Sequence, residues 1–144
     1  MDIRESRQVI ESEITRAGYS IEYSKSLRGR VRYKPRLCMI PEIKTRKSLY
    51  IACHELGHIV AGYVKPIYVG EYRAEKYAHA KMRELGFAVP RKCTKEAREY
   101  VSWKIRKAKK RGLKSVSSQV GAWANLTAKQ SRRKAGQAGM GILY

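Results

Sequence analysis

Residues 54–58 read His-Glu-Leu-Gly-His, and this H-E-x-x-H pattern constrains the chain more than any other feature. On an α-helix, positions i and i+4 lie on one face, so His54 and His58 can direct both imidazoles at one metal ion. Neutral imidazole is a good zinc ligand. Glu55 directly follows the first ligand, where its carboxylate can take a proton from a water on the metal. The pattern therefore predicts a helix that carries a zinc site and a catalytic base.

The residues on either side of the motif predict that this helix is buried. Positions 48–53 and 59–63 are mostly apolar, as in a helix that packs on several sides. Charged and metal-binding side chains in such a helix cost free energy unless a partner compensates them. A pair of surface histidines is the alternative interpretation, and the apolar flanks favour the metal site.

A catalytic zinc site needs a third protein ligand, and two candidates follow His58. Residues 71–78 repeat the pattern E-x-x-A, which places Glu71 and Glu75 on one face of a helix. Glu71 would bind the metal, and Glu75 would accept a hydrogen bond from the second nitrogen of a ligand histidine. His79, two turns beyond Glu71 on roughly the same face, is the other candidate. We favour Glu71, because small residues allow its helix to approach the motif helix closely: Ala74, Ala78, Gly57 and Gly62.

The remaining pattern predicts an α+β fold, in the order helix, small antiparallel sheet, helices. Asp2 begins a first helix, with Glu5 in the position of a capping box, and Gly18 ends it. Thr45 is the expected N-cap of the motif helix, and Thr94 that of a long later helix. The predicted strands are 19–23, 30–33 and 37–40, and the predicted helices are 2–17, 46–63, 70–85, 94–111 and 116–124.

Length, hydropathy and cysteine content limit the class of protein. The chain of 144 residues is long enough for one domain with a core. It has no apolar run of membrane-spanning length and no apolar signal segment near the N-terminus, so we expect no membrane contact. The three cysteines, Cys38, Cys53 and Cys93, are an odd number without C-x-x-C spacing. That pattern predicts a cytoplasmic protein without disulfides.

The positive charge is concentrated in the last third of the chain. The net charge is +20, and residues 89–144 carry 15 Lys and Arg against 2 Glu, a net charge of +13. Aromatic and basic residues that alternate can stack on bases and bind phosphates, which predicts non-specific contact with DNA or RNA. A solvated helix face is the alternative. The residues of this basic cluster are Trp103, Lys104, Arg106, Lys107, Lys109, Lys110, Arg111 and Lys114.

Two segments resemble the ImmA/IrrE-type zinc metallopeptidases, a family of minimal gluzincins. Residues 36–40 and 49–58 are similar to that family's short strand followed by an A-H-E-L-G-H helix. Residues 71–78 match its E-x-x-A-[N/D/E]-x-[F/Y]-A helix, which supplies a Glu ligand. The likeness covers roughly residues 1–86. The chain departs from the family pattern at Cys53, where Ala is usual, and in its basic C-terminal third.

The resemblance implies a zincin-like core and a protein substrate. The core would be residues 1–88, with a basic helical extension packed on it at 89–128 and a basic, glycine-rich tail at 129–144. The strand 37–40 would be the edge that binds an extended peptide. The resemblance also implies a phage or mobile-element origin and a regulatory protein as one candidate substrate.

These observations together predict a zinc metalloendopeptidase with His54, His58 and Glu71 as ligands and Glu55 as catalytic base. The sequence also allows two other interpretations. One is an SprT-like, DNA-associated protease that uses His79 as the third ligand. The other is a basic nucleic-acid-binding or structural protein that retains a metallopeptidase-like fold without activity.

Overall fold

Helices dominate the fold, which contains one small sheet of three strands. The structure, a computed structural model, describes the backbone of residues 1–133 and the side chains of residues 1–125. The predicted α+β class is confirmed. Over the described residues the elements are α1 (Ile3–Arg16), β1 (Ser20–Ser24), β2 (Arg30–Tyr33), β3 (Arg36–Pro41), α2 (Arg46–Ala61), α3 (Ile67–Glu84), α4 (Arg91–Lys110) and α5 (Ser118–Arg133).

The C-terminal end of the chain is described only in part. Helix α5 continues to Arg133, and the rest of the segment expected as a tail, residues 134–144, lies outside the described residues. Within the described part, every helix is too short or too polar to cross a membrane.

The sheet is mixed, and the prediction of an antiparallel sheet was wrong. Its strand order is β1-β3-β2, with β1 parallel and β2 antiparallel to β3. Strand β3 takes the centre because it is the most apolar of the three, and its Cys38 and Ile40 are fully buried. The expectation that residues 37–40 form a substrate-binding edge is therefore also wrong. The edges of this sheet are β1 and β2.

Local signals set the start of α1 and α2 as predicted. The Asp2 carboxylate accepts a hydrogen bond from the backbone N–H of Glu5 at 2.8 Å. Thr45 caps α2, and its hydroxyl accepts from the N–H of Ser48 at 3.1 Å. The Ser48 hydroxyl in turn accepts from the N–H of Thr45 at 2.9 Å. This reciprocal cap satisfies donors at the helix start, which fixes where the motif helix begins.

Helices α3 and α4 begin earlier than the sequence suggested, each directly after a proline. Thr94 does not cap α4, because the helix starts at Arg91 and the Pro90 carbonyl already accepts from the N–H of Thr94 at 3.3 Å. Helix α3 starts after Pro66 rather than at Gly70. A proline supplies no N–H and has a fixed φ, so it can precede a helix without leaving a donor unpaired.

Two clusters of apolar residues form the interior, and α3 contributes to both. The first cluster joins α1, β3, α2 and the second half of α3, where Ala78 and Met82 are fully buried. The second joins the first turns of α3, through Tyr68 and Tyr72, to α4 and α5. The basic extension is thus attached to the rest of the protein by its own apolar contacts, and both α3 and α4 contribute to the two clusters, α4 to the first through Cys93.

Candidate metal centre

The candidate metal centre lies where α2 crosses α3, and one glycine makes the close crossing possible. A Cβ atom on Gly57 would lie 2.8 Å from the backbone oxygen of Ala74 and 2.9 Å from its Cα. No side chain fits there without moving backbone. The expected role of Gly57 in close approach is confirmed. The same expectation for Gly62 was wrong: a Cβ there would meet nothing within 4 Å, and Gly62 instead ends α2 with a φ of 74°.

Three side chains from these two helices converge on one point. His54 and His58, one turn apart on α2, have ring centroids 4.8 Å apart. Glu71 on α3 faces both: its Oε2 lies 3.1 Å from His54 Nε2, and its Oε1 lies 3.4 Å from His58 Nε2. The ligand atoms of the three residues all lie within 4.8 Å of one another. This His-His-Glu group has the donor types and the spacing to bind a metal ion.

The second nitrogen of His54 is held by Glu75. His54 Nδ1 lies 2.6 Å from Glu75 Oε2, so the ring directs its Nε2 toward Glu71 and His58. Glu75 is 2% exposed and also accepts a hydrogen bond from the Tyr50 hydroxyl. Such an outer partner fixes the tautomer and the orientation of a ligand histidine. Tyr50 was missed from the sequence, although its position four residues before His54 places both on one helix face.

The charges of this network depend on one another. Burial raises the pKa of Glu71, but hydrogen bonds from His54 and His58 outweigh it and lower the pKa to about 2. Burial likewise opposes ionisation of Glu75, and its bonds to His54 and His79 lower the pKa to about 2. Burial lowers the pKa of His54, yet Glu71 and Glu75 together raise it well above 6.5. Without a metal, these contacts therefore favour the protonated form of His54.

Glu55 projects from α2 into the same cleft as the three candidate ligands. Its side chain is buried, and burial raises its pKa, which the nearby His54 and His58 partly offset. Gly29, in the loop before β2, packs against it so closely that a Cβ there would lie 2.5 Å from Glu55 Cγ. The loop thus confines the Glu55 carboxylate. The sequence alone did not assign this role to it.

His79 lies apart from the metal-binding group. Its Nε2 is 3.5 Å from Glu75 Oε1 and 3.4 Å from the hydroxyl of Thr94. Glu75 contacts His54 through Nδ1, the ring nitrogen that faces away from Glu71. His79 therefore lies on the far side of Glu75 from the metal-binding group. Of the two candidates for the third ligand, Glu71 is the one beside His54 and His58.

A cleft of about 800 Å³ opens over these residues. One wall is β2 with the loop before it, where the hydroxyl of Tyr33 donates to the backbone oxygen of His58 at 3.2 Å. The opposite wall is α4, which the sequence did not connect with the site. Its residues that line the cleft are Cys93, Glu96, Ala97, Tyr100 and Val101.

The basic cluster lies further along α4 and on the segment after it, away from the metal-binding group. Trp103 is exposed, while Lys104 and Lys107 are partly covered by it. The other members have exposed side chains at the end of α4 or just beyond it: Arg106, Lys109, Lys110, Arg111 and Lys114. None of these residues lines the cleft, but Tyr100, which stands next to Trp103, does.

Comparisons of the chain with models of protein families, with curated proteins and with solved structures found no match.

Proposed function

We propose that this protein is a zinc-dependent metallopeptidase that hydrolyses peptide bonds of a protein substrate. The observation that carries the proposal is that the two ring nitrogens of His54 have different partners. Nδ1 contacts Glu75, and Nε2 lies beside Glu71 and His58. A ligand histidine typically has this arrangement, with its outer nitrogen held by a carboxylate and its other nitrogen directed at the metal site.

The donor spacing supports zinc in particular. Four ligands at about 2.0–2.2 Å from a tetrahedral zinc lie roughly 3.3–3.6 Å from each other. The two distances from Glu71 to His54 and His58, 3.1 and 3.4 Å, are close to that range. Two imidazoles and one carboxylate are also the ligand set of hydrolytic zinc sites, which keep the fourth position open.

The chain supplies a base where the reaction needs one. When bound, zinc supplies Lewis acidity that polarises a carbonyl and lowers the pKa of water toward neutrality. Glu55 would take the proton of the attacking water and return it to the leaving amine nitrogen. Its burial and raised pKa suit a carboxylate that must both accept and release a proton.

The sheet offers an extended substrate a place beside the cleft. Strand β2 is at an edge of the sheet, and Arg30 and Val31 of that strand line the cleft. A peptide that pairs with this edge would cross the mouth of the site in extended form. The resemblance of residues 36–40, 49–58 and 71–78 to ImmA/IrrE-type peptidases favours the same interpretation, with β2 rather than β3 as the edge.

The test combines metal analysis with a substitution of the base. We expect purified protein to hold one zinc and to cleave members of a peptide library made from a digested proteome, with products identified by mass spectrometry. Glu55→Gln should keep the zinc and lose about 10²- to 10⁴-fold in cleavage rate. Glu84→Gln, an exposed position on α3, is the matched control and should cleave normally. Cleavage that survives zinc removal, or zinc-loaded protein that cleaves nothing in the library, would contradict the proposal.

A further inference from the structure

Helix α4 carries two neighbouring aromatic rings that remain largely in solvent. Tyr100 is 42% exposed and Trp103 is 43% exposed. Their ring centroids are 6.0 Å apart and the planes are tilted by 37°. An exposed pair of large aromatic side chains is unusual, because each ring loses the free energy that burial would provide. The pair and the two lysines beside it, Lys104 and Lys107, are called the α4 stripe below.

Both rings of the α4 stripe have an ammonium group next to them. Lys104 Nζ lies 5.5 Å from the centroid of Tyr100 and 5.4 Å from that of Trp103. Lys107 Nζ lies 4.3 Å from the centroid of Trp103. These are cation–π distances. A ligand that stacks on either ring therefore has a positive charge within reach at its edge.

The acidic residues of α4 end at Glu99, directly before the α4 stripe, and the sequence beyond it is basic. No Asp or Glu follows Glu99, whereas 11 Lys and Arg do. Tyr23, at another surface, gives the contrast. It too is exposed with a cation over its ring, but that cation, Arg7, also pairs with Glu11 and Glu42. The α4 stripe is an aromatic-basic surface with surplus positive charge, and that surplus favours an anionic ligand.

The combination of rings and charge selects among anionic ligands. An acidic peptide would use the lysines but has no general need for two flat rings. Double-stranded DNA presents phosphates, but its bases are stacked inside the duplex. A single strand presents phosphates and unstacked bases together, and bases stack on aromatic side chains whatever their identity. We infer that the α4 stripe binds single-stranded nucleic acid, with bases on Tyr100 and Trp103 and phosphates at Lys104 and Lys107.

This binding site adjoins the metal cleft without being part of the proposed reaction. Tyr100 belongs to both surfaces, since it lines the cleft and contacts Trp103. A strand on the α4 stripe would thus pass the mouth of the cleft. The inference does not depend on peptidase activity, because it rests on exposed side chains of α4 and on charge alone.

The experiment measures binding of a labelled oligothymidylate of about 15 nucleotides to the full-length protein by fluorescence anisotropy. Trp103→Ala should weaken binding roughly 5- to 150-fold, and Trp103→Phe should restore most of the affinity. Tyr23→Ala is the matched control and should change nothing. Replacing Lys104 and Lys107 together by Gln should reduce the slope of log K against log salt by about 1.4.

Intrinsic fluorescence gives a second measurement, which detects stacking on Trp103 and does not respond to charge alone. The chain has 2 tryptophans, and the other one, Trp123, is 4% exposed. Oligothymidylate should quench the emission of the wild type and leave that of Trp103→Phe nearly unchanged. The inference is overturned if Trp103→Ala binds as tightly as the wild type, or if duplex DNA or polyglutamate binds as tightly as the single strand.

Discussion

The metal centre and the α4 stripe differ in how their charges are balanced. At the metal centre, buried Glu75 contacts His54, His79 and Tyr50, and Glu71 contacts both ligand histidines. On the α4 stripe, lysines lie over aromatic rings, and no acidic residue follows the stripe in the sequence. The difference follows from solvent. A buried charge needs a partner within the protein, whereas water and salt can balance a surplus of exposed charge.

The two regions also differ in the space that is left beside a helical glycine. Gly57 leaves α2 and α3 no room for a methyl group, while Gly121 on α5 would place one at an ordinary 3.7 Å from Val116. The close contact at Gly57 positions the ligands of the metal centre, whereas Gly121 has room for a side chain. Four predictions test this comparison.

The largest effect is expected from adding one methyl group at the helix crossing. Gly57→Ala should lower the free energy of unfolding by about 3 kcal/mol, because the atoms in its way are backbone and cannot rotate aside. Gly121→Ala, the matched change in α5, should be neutral or stabilising by up to about 1 kcal/mol. Urea denaturation of both variants measures the difference. Equal effects would show that the two regions are packed alike.

Removing the charge behind His54 should weaken metal binding while the ligands remain. Glu75→Gln should lower the zinc affinity about 10- to 100-fold, because His54 loses the partner that orients its ring. Glu84→Gln on the same helix is the control and should bind zinc as the wild type does. A competition titration with a chromophoric chelator reports both affinities. An unchanged affinity for Glu75→Gln would mean that Glu75 serves only the packing.

Zinc binding should release a proton from His54. Glu71 and Glu75 raise the pKa of His54 well above 6.5 in the metal-free protein, and only the neutral ring can bind zinc. At pH 7 the affinity should therefore fall about tenfold for each unit by which the pH is lowered. Calorimetry in two buffers with different ionisation enthalpies counts the released protons. Identical heats in the two buffers would show that His54 is already neutral.

The smallest effects compare a buried lysine of α3 with an exposed lysine at the end of α4. Lys81 on α3 is buried, with Nζ 2.7 Å from Glu13 Oε1, so Lys81→Ala should cost about 1 kcal/mol or more. Lys110, exposed at the end of α4, should tolerate the same change within about 0.5 kcal/mol. Thermal unfolding at low and high salt measures both. A large loss for Lys110→Ala would mean that the surplus charge is structural.

The sequence predicted most of what depends on local periodicity. The position of α2, its Thr45 cap and the presence of two histidines on one face follow from spacing alone, since a helix repeats every 3.6 residues. The choice of Glu71 beside the histidines also rested on helix geometry. The sequence did not predict Tyr50, Gly29 or the α4 wall of the cleft, because these meet the site only through contacts between distant segments.

The sheet illustrates the same limit. The three strands were found near their true positions, but their order and direction were not, and β3 was placed at the edge instead of the centre. A short strand has the same pattern whether its neighbours run parallel or antiparallel. Its place is decided by the burial that the whole chain can provide, and Cys38 and Ile40 are buried completely only in the central position.

The sequence by itself determined that this chain carries an H-E-x-x-H helix, a following acidic helix and a basic end without acidic residues. These are properties of neighbouring residues and of charge, which no folding can alter. The tertiary structure alone decided that His54 rather than His58 contacts Glu75, which strand borders the cleft and that Tyr100 joins the cleft to the α4 stripe. Those arrangements depend on how helices and strands far apart in the chain pack against each other, and packing is a property of the whole fold.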